Sequence, residues 1–168
     1  MELSAAQRER YERNLLVEGF TDRMQQALIA ARVAVVGAGG LGSAALNYLV
    51  AAGVGHLTLI ENDTVSLSNL QRQVLYTTAD MGRPKAEVAA MRLSRLNPGC
   101  DIRVVTDRLT AANAAGLLGG HDAVVDCTDN YDARYVIDDF CREAEVPMIY
   151  GTAEAVGGQV AVFHAGGA

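Results

Sequence analysis

Arg32-Val-Ala-Val-Val36 runs directly into Gly37-Ala-Gly-Gly-Leu-Gly42, and an apolar stretch with helical character follows to Ala52 and Gly53. The first block is short, β-branched and bounded by glycine, the pattern of a strand buried on both faces. The glycines let the backbone turn sharply and approach a phosphate chain, whose charge meets the N–H groups that open a helix over residues 41–52. Leu57-Thr-Leu-Ile60 reads as the next strand, and Glu61 closes it 19 positions after Gly42, where an acid can bind ribose hydroxyls. Strand, glycine loop, helix, strand and acid together predict a nucleotide-binding α/β unit. The competing reading gives the glycines only a tight strand-to-helix turn.

Upstream, residues 1–31 read as a helical N-terminal extension. Ser4-Ala-Ala-Gln7 has the form of a capping box and starts a helix to about Leu16, and a second helix over 22–30 follows the turn at Glu18-Gly19-Phe20. Downstream, a long polar stretch (61–83) leads to a helix over 84–96 with Pro84 near its start and Asn97-Pro98-Gly99 as its stop. The pattern continues as strand (102–105), helix (111–118), strand (123–127), helix (131–144) and strand (148–150). A last strand over 159–164 lies too close for a crossover helix and is expected to be antiparallel. This alternation predicts an α/β fold, a Rossmann-like doubly wound and mostly parallel sheet, as a single domain over 1–168. Sites on such sheets lie beyond the C-terminal strand ends, which directs attention to the loops after Val36, Ile60 and Val125.

Composition narrows the function. Among 168 residues, 14 basic against 20 acidic side chains give a net charge of −6, which argues against a nucleic-acid partner. No stretch approaches the ~18–20 uncharged apolar residues of a membrane span. The polar N-terminus carries no leader pattern, so the expected setting is the cytoplasm. The three cysteines, Cys100, Cys127 and Cys141, show no CxxC spacing, and with three scattered histidines they offer no zinc cage.

Three further motifs carry chemistry. Ser68-Asn-Leu-Gln-Arg-Gln73 is polar and contains Asn69, Arg72 and Gln73, and Lys85 follows on the first turn of the next helix. An arginine and a lysine near a nucleotide are donors for a triphosphate, which a dinucleotide does not require; a solvated loop with a capping residue is the alternative. Asp126-Cys-Thr-Asp-Asn130 closes the strand beside the glycine loop and sets Asp129 and Asn130 past its edge. Asp129 could hold Mg²⁺ against phosphate oxygens, or cap the following helix, or both. Cys127 reads as packing, with no histidine beside it in sequence.

Gly37-x-Gly39-Gly40-Leu-Gly42, Glu61-x-Asp63-x-Val65-x-x-Ser68-Asn69-Leu-x-Arg72-Gln73, Lys85 and Asp126-Cys-Thr-Asp129-Asn130 resemble, in order and spacing, the ThiF/MoeB/HesA family, bacterial relatives of ubiquitin-activating enzymes. The resemblance runs from about Arg10-Tyr-Glu-Arg13 to Phe163. It implies ATP-dependent adenylation of the C-terminal glycine carboxylate of a ubiquitin-like sulfur-carrier protein ending in Gly-Gly, of the thiamine or molybdopterin type, with release of pyrophosphate. By the same resemblance, the glycine loop approaches the nucleotide, Glu61 holds ribose, and Asn69, Arg72 and Lys85 contact phosphates. Asp129 would coordinate magnesium, and Arg13 would reach the partner subunit's ATP in a homodimer.

Two features depart from the family. Glu61 stands where aspartate is usual. The region with CxxC zinc ligands, crossover loop and reactive cysteine does not follow before Gly166-Gly167-Ala168, so a truncated form is expected, with a naturally short paralogue as the alternative, and structural zinc only in a full-length one. An NAD-binding oxidoreductase domain and a nucleotide-binding scaffold without turnover are the rival readings.

Overall fold

The computed structural model describes residues 2–164; the closing Gly166-Gly167-Ala168 lies outside them. The helices are α1 (Ala5–Arg10), α2 (Glu12–Leu15), α3 (Asp22–Ala30), α4 (Gly40–Ala52), α5 (Lys85–Leu96), α6 (Ala114–Leu118) and α7 (Tyr131–Glu143). The strands are β1 (Arg32–Val36), β2 (His56–Ile60), β3 (Asp101–Val105), β4 (Ala123–Asp126), β5 (Met148–Glu154) and β6 (Gly157–Phe163).

These strands form one sheet in the order β3-β2-β1-β4-β5-β6. All pairs are parallel except β5 with β6. Alternation along β1 divides the core. Val33 and Val35 face one layer with Leu46, Val50, Val88 and Leu93 from α4 and α5. Ala34 and Val36 face the other, with Leu118 and Ile137 from α6 and α7. Strand order reverses between β1 and β4, and a doubly wound sheet leaves a crevice at that point.

Several boundaries move for physical reasons. The expected first helix is broken at Tyr11 (φ −103°, ψ 14°), whose buried ring turns inward and whose hydroxyl accepts from Asn97 Nδ2 at 2.9 Å. The capping box is formed: Ser4 Oγ accepts from the Gln7 N–H and Gln7 Oε1 from the Ser4 N–H. Helix α4 begins one residue early, at Gly40, and α6 three residues late. Pro84 is the residue before α5, not its first turn. Strand β4 stops at Asp126 because the Asp126 carboxylate bonds the Thr128 N–H. Strand β5 runs four residues past Tyr150 and joins β6 through Ala155-Val156, with Ala155 in the left-handed region (φ 48°). The polar stretch 61–83 contains two short 3₁₀ turns, Leu67–Asn69 and Thr78–Asp80.

The N-terminal extension is fastened to the end of the sheet opposite the crevice. Asn14 Nδ2 and Gln25 Nε2 both donate to the Ala52 carbonyl, at 3.2 and 3.0 Å, where α4 ends. Arg10 donates to the Leu96 carbonyl, where α5 ends. Among the described residues no helix is long and apolar enough to cross a membrane.

Asp80 ties the 61–83 stretch to α5. It is buried, and its carboxylate accepts from the Thr77 N–H and hydroxyl and from Arg92 and Arg83. Burial acts to raise its pKa, but the Thr77 hydrogen bonds and the two guanidinium groups outweigh it and hold the carboxyl below its usual 3.8. A depressed native pKa stabilises fully above the ordinary carboxylate value and is lost as pH falls through the native one. Asp80→Ala should therefore cost about 2–3 kcal/mol at pH 7 in urea unfolding, a gap that closes as the pH falls below 3.8.

Candidate active site

The glycine loop is held rigidly before any ligand enters. Gly37 has φ 95°, a left-handed conformation that suits glycine, and its N–H donates to the Ile60 carbonyl at 2.9 Å. The Ala38 N–H donates to Glu61 Oε2 at 2.8 Å, and the Ala38 carbonyl accepts from the buried Tyr76 hydroxyl at 2.9 Å. Burial, reinforced by Glu61 and Asp63, pushes the Tyr76 phenol well up, which keeps it a donor. Gly42 lies beneath the loop: a Cβ there would overlap the Gly37 carbonyl.

Above the loop, at the C-terminal strand ends, opens a cleft of about 600 Å³. It brings together Gly37, Gly39, Gly40, Glu61, Asp63, Arg72, Gln73, Lys85, Asp129 and Asn130, residues that run from position 37 to position 130 of the sequence. It does not include Gly42, Ser68, Asn69 or Arg13. Ser68 and Asn69 act one step back. The Asn69 carbonyl accepts from the Arg72 and Gln73 N–H groups, and the Ser68 carbonyl from the Arg72 guanidinium at 3.3 Å. Together they shape the turn that presents Arg72 and Gln73. Arg13 is exposed on α2, next to Asn14 and hence at the Ala52 end of α4. The cleft is at the Gly40 end, about 18–20 Å away along a 13-residue helix.

The charged groups of the cleft are placed with economy. Lys85 is 4% exposed, and its Nζ donates to Asp63 Oδ2 at 2.6 Å, leaving two of its three N–H donors for other partners. That hydrogen bond is the main reason the Asp63 carboxyl sits below its usual range. Glu61 spends one oxygen on Ala38 and the other on the Asp63 N–H at 2.9 Å, so each oxygen can still accept a further hydrogen bond. Arg72 lies against Gly40, where an added Cβ would sit 3.6 Å from its Cγ. Gln73 is buried with its Oε1 unpartnered.

Asn130, not Asp129, caps α7: its side chain accepts from the Ala133 N–H at 2.9 Å. Asp129 is exposed in the cleft, and no described protein group engages its carboxylate. Among the described residues no three His, Cys, Asp or Glu side chains gather around a metal position. Cys127 lines the floor, but burial, with Asp126 adding to it, pushes its thiol up to about 12, which fits packing rather than nucleophilic chemistry.

The sequence reading passed over the loop after Val105, which contributes Asp107, Arg108 and Leu109 to the cleft wall. The rule that pointed past Val36, Ile60 and Val125 applies to Val105 equally and would have found them. Tyr76, which steadies the glycine loop, had no local signal.

A family model describing the ThiF family matches residues 11–168. The chain belongs to the ThiF family. Among ThiF relatives it is 49% identical over 162 residues to a molybdopterin-synthase adenylyltransferase of Salmonella typhimurium, covering 96% of this chain and 65% of that one. It is 47% identical over 156 residues to a sulfur carrier protein adenylyltransferase of Thermus thermophilus, covering 93% and 58%. The crystal structure of the E. coli tRNA N6-threonylcarbamoyladenosine dehydratase TcdA in complex with ATP superposes with a TM-score of 0.85 at 33% identity, covering 91% of this chain and 63% of that one. The chain thus spans about two thirds or less of the length of the relatives it matches.

Proposed function

We propose that this ThiF-family chain binds ATP and adenylates the C-terminal glycine carboxylate of a ubiquitin-like sulfur-carrier protein. One observation carries the reading: a single cleft joins an ordered glycine loop at a helix N-terminus, the cations Arg72 and Lys85, and the uncommitted carboxylate of Asp129. A nicotinamide dinucleotide has no use for that combination. The structure of the TcdA relative in complex with ATP supports the nucleotide half of the proposal. The acceptor half leans on the carrier adenylyltransferases, which are nearer in sequence, at 47–49% identity, than the tRNA dehydratase at 33%.

In this reading the loop amides and the α4 N-terminus receive phosphate oxygens, and Glu61 receives ribose hydroxyls. The carrier carboxylate attacks the α-phosphorus, forming the acyl–phosphate bond as the bond to pyrophosphate breaks. Two anions must approach one another, so fixed positive charge is the main requirement. Arg72 and Lys85 supply it, and Lys85 arrives already oriented by Asp63. No general base is needed because the attacking carboxylate is ionised near neutrality. One free carboxylate beside phosphate oxygens and water is a donor set that suits Mg²⁺, with Asp129 as the protein ligand. Magnesium bound there would neutralise phosphate charge. Arg13 can serve this chemistry only in another copy's cleft, as a twofold homodimer would allow.

Isotope exchange between pyrophosphate and ATP tests the proposal. Exchange should require a carrier with a free C-terminal Gly-Gly carboxylate and vanish with the C-terminally amidated carrier. Calorimetry should give tighter binding for Mg-ATP than for NAD, and the reverse order would overturn adenylation.

A further inference from the structure

The turn that carries Asp129 is gripped from behind by two residues outside the cleft. Asp126, with no exposed surface, accepts through Oδ1 from the Thr128 N–H at 2.8 Å and the Thr128 hydroxyl at 2.6 Å. Its Oδ2 accepts from Arg134 Nε at 3.0 Å. Arg134, on the first turns of α7, then donates through a terminal nitrogen to the Thr128 carbonyl at 3.1 Å. Both backbone polar groups of Thr128, its N–H and its carbonyl, are therefore held by one ion pair. The guanidinium carbon lies in turn over two aromatic rings, 4.5 Å from the Tyr150 centroid and 5.5 Å from that of Tyr131. Thr128, Asp129 and Asn130 line the cleft, whereas Asp126 and Arg134 do not.

A buried ion pair adds little net stability over a well-packed apolar pair, so its use lies in alignment. The alignment here is specific to arginine. Only a planar fork donates to a carboxylate and a carbonyl in fixed directions while stacking on an aromatic face, and a lysine ammonium cannot do all three. What the clamp delivers is the residue after Thr128, whose carboxylate emerges into the cleft with no other partner.

We propose that Arg134 is a positioning residue, acting through Asp126 and Thr128 to aim the Asp129 carboxylate at a divalent cation on the nucleotide phosphates. This rests on the reading of Asp129 as the metal carboxylate. Arg134→Ala would strand the Asp126 charge and endanger the fold, so Arg134→Lys, which keeps the charge, is the variant of choice.

The readout is ATP affinity by calorimetry in Mg²⁺ and in EDTA, with thermal melting alongside, for the wild-type chain, Arg134→Lys and Asp129→Asn. Arg134→Lys should melt near wild type and bind ATP in EDTA within about twofold. It should lose about tenfold or more of the Mg²⁺-dependent gain, the usual scale for residues that orient a metal ligand. Asp129→Asn should lose the same gain. If Arg134→Lys keeps the full gain while Asp129→Asn loses it, the inference falls and the reading of Asp129 stands. Equal weakening of Arg134→Lys in Mg²⁺ and in EDTA also overturns it, since the clamp then serves structure alone. A wild-type chain with no Mg²⁺-dependent gain refutes the metal reading of Asp129, and the inference with it.

Discussion

Gly42→Ala should unfold the chain far more readily than Gly40→Ala, although both glycines belong to the same loop. At Gly42 a Cβ would overlap the Gly37 carbonyl and lie 3.5 Å from the Cys127 Cβ, so backbone has to move. Forced overpacking of this kind costs about 3 kcal/mol, or roughly 6–12 °C of melting temperature for a chain this size. At Gly40 the nearest atoms are the Arg72 side-chain carbons at 3.6 and 3.7 Å, which is ordinary contact. Alanine there opens α4 as well as glycine does, so stability should hold or rise slightly. The added methyl instead occupies space between the loop and Arg72, where the proposed phosphates lie. Melting curves and ATP titrations on the two variants should therefore separate cleanly: Gly42→Ala loses stability first, Gly40→Ala loses affinity first. Weak ATP binding by neither variant would remove the loop from the nucleotide site.

Lys85→Met should produce the largest loss of activity at little cost in folding. The methionine fills the channel of the lysine stem, and the partner left behind, Asp63, has a side chain 62% exposed and can be solvated by water. Loss of one preorganised cationic donor from a phosphoryl-transfer site reduces turnover by about 10²–10³-fold. Pyrophosphate exchange measures that loss, and a melting temperature near wild type shows that it is not unfolding. Lys85→Arg should not restore exchange, because a longer, planar guanidinium does not place its donors where Asp63 holds the compact lysine ammonium. Exchange within threefold of wild type in Lys85→Met would remove Lys85 from the chemistry.

The strands and the glycine loop were legible because they depend on short-range pattern. Val33 to Val36 alternate between two helix layers, and no polar residue interrupts them. The boundaries that shifted depend on side-chain hydrogen bonds. Tyr11 breaks its helix for Asn97, 86 positions away, and β4 stops early because Asp126 bonds Thr128 and Arg134 instead of continuing the strand. The site shows the same division. Arg72, Lys85 and Asp129 stood out as charges in motifs, while Tyr76 and Arg134 act from behind the cleft through hydrogen bonds to Ala38 and Thr128. Residue type alone carries no sign of such contacts. The sequence offered Asp129 as a cap of α7, and the geometry assigns that cap to Asn130 instead.

The anchoring of the N-terminal extension at the Ala52 end of α4 bears on how activity scales with protein concentration. An arginine rooted there is a helix length from its own cleft, so a site that borrows it is completed only by association. The working unit would then be a pair of chains. Specific activity would stay flat while pairs persist and fall on dilution below their dissociation constant, where total rate grows with the square of chain concentration. A chain that folded around its own arginine would show a strictly linear dependence instead.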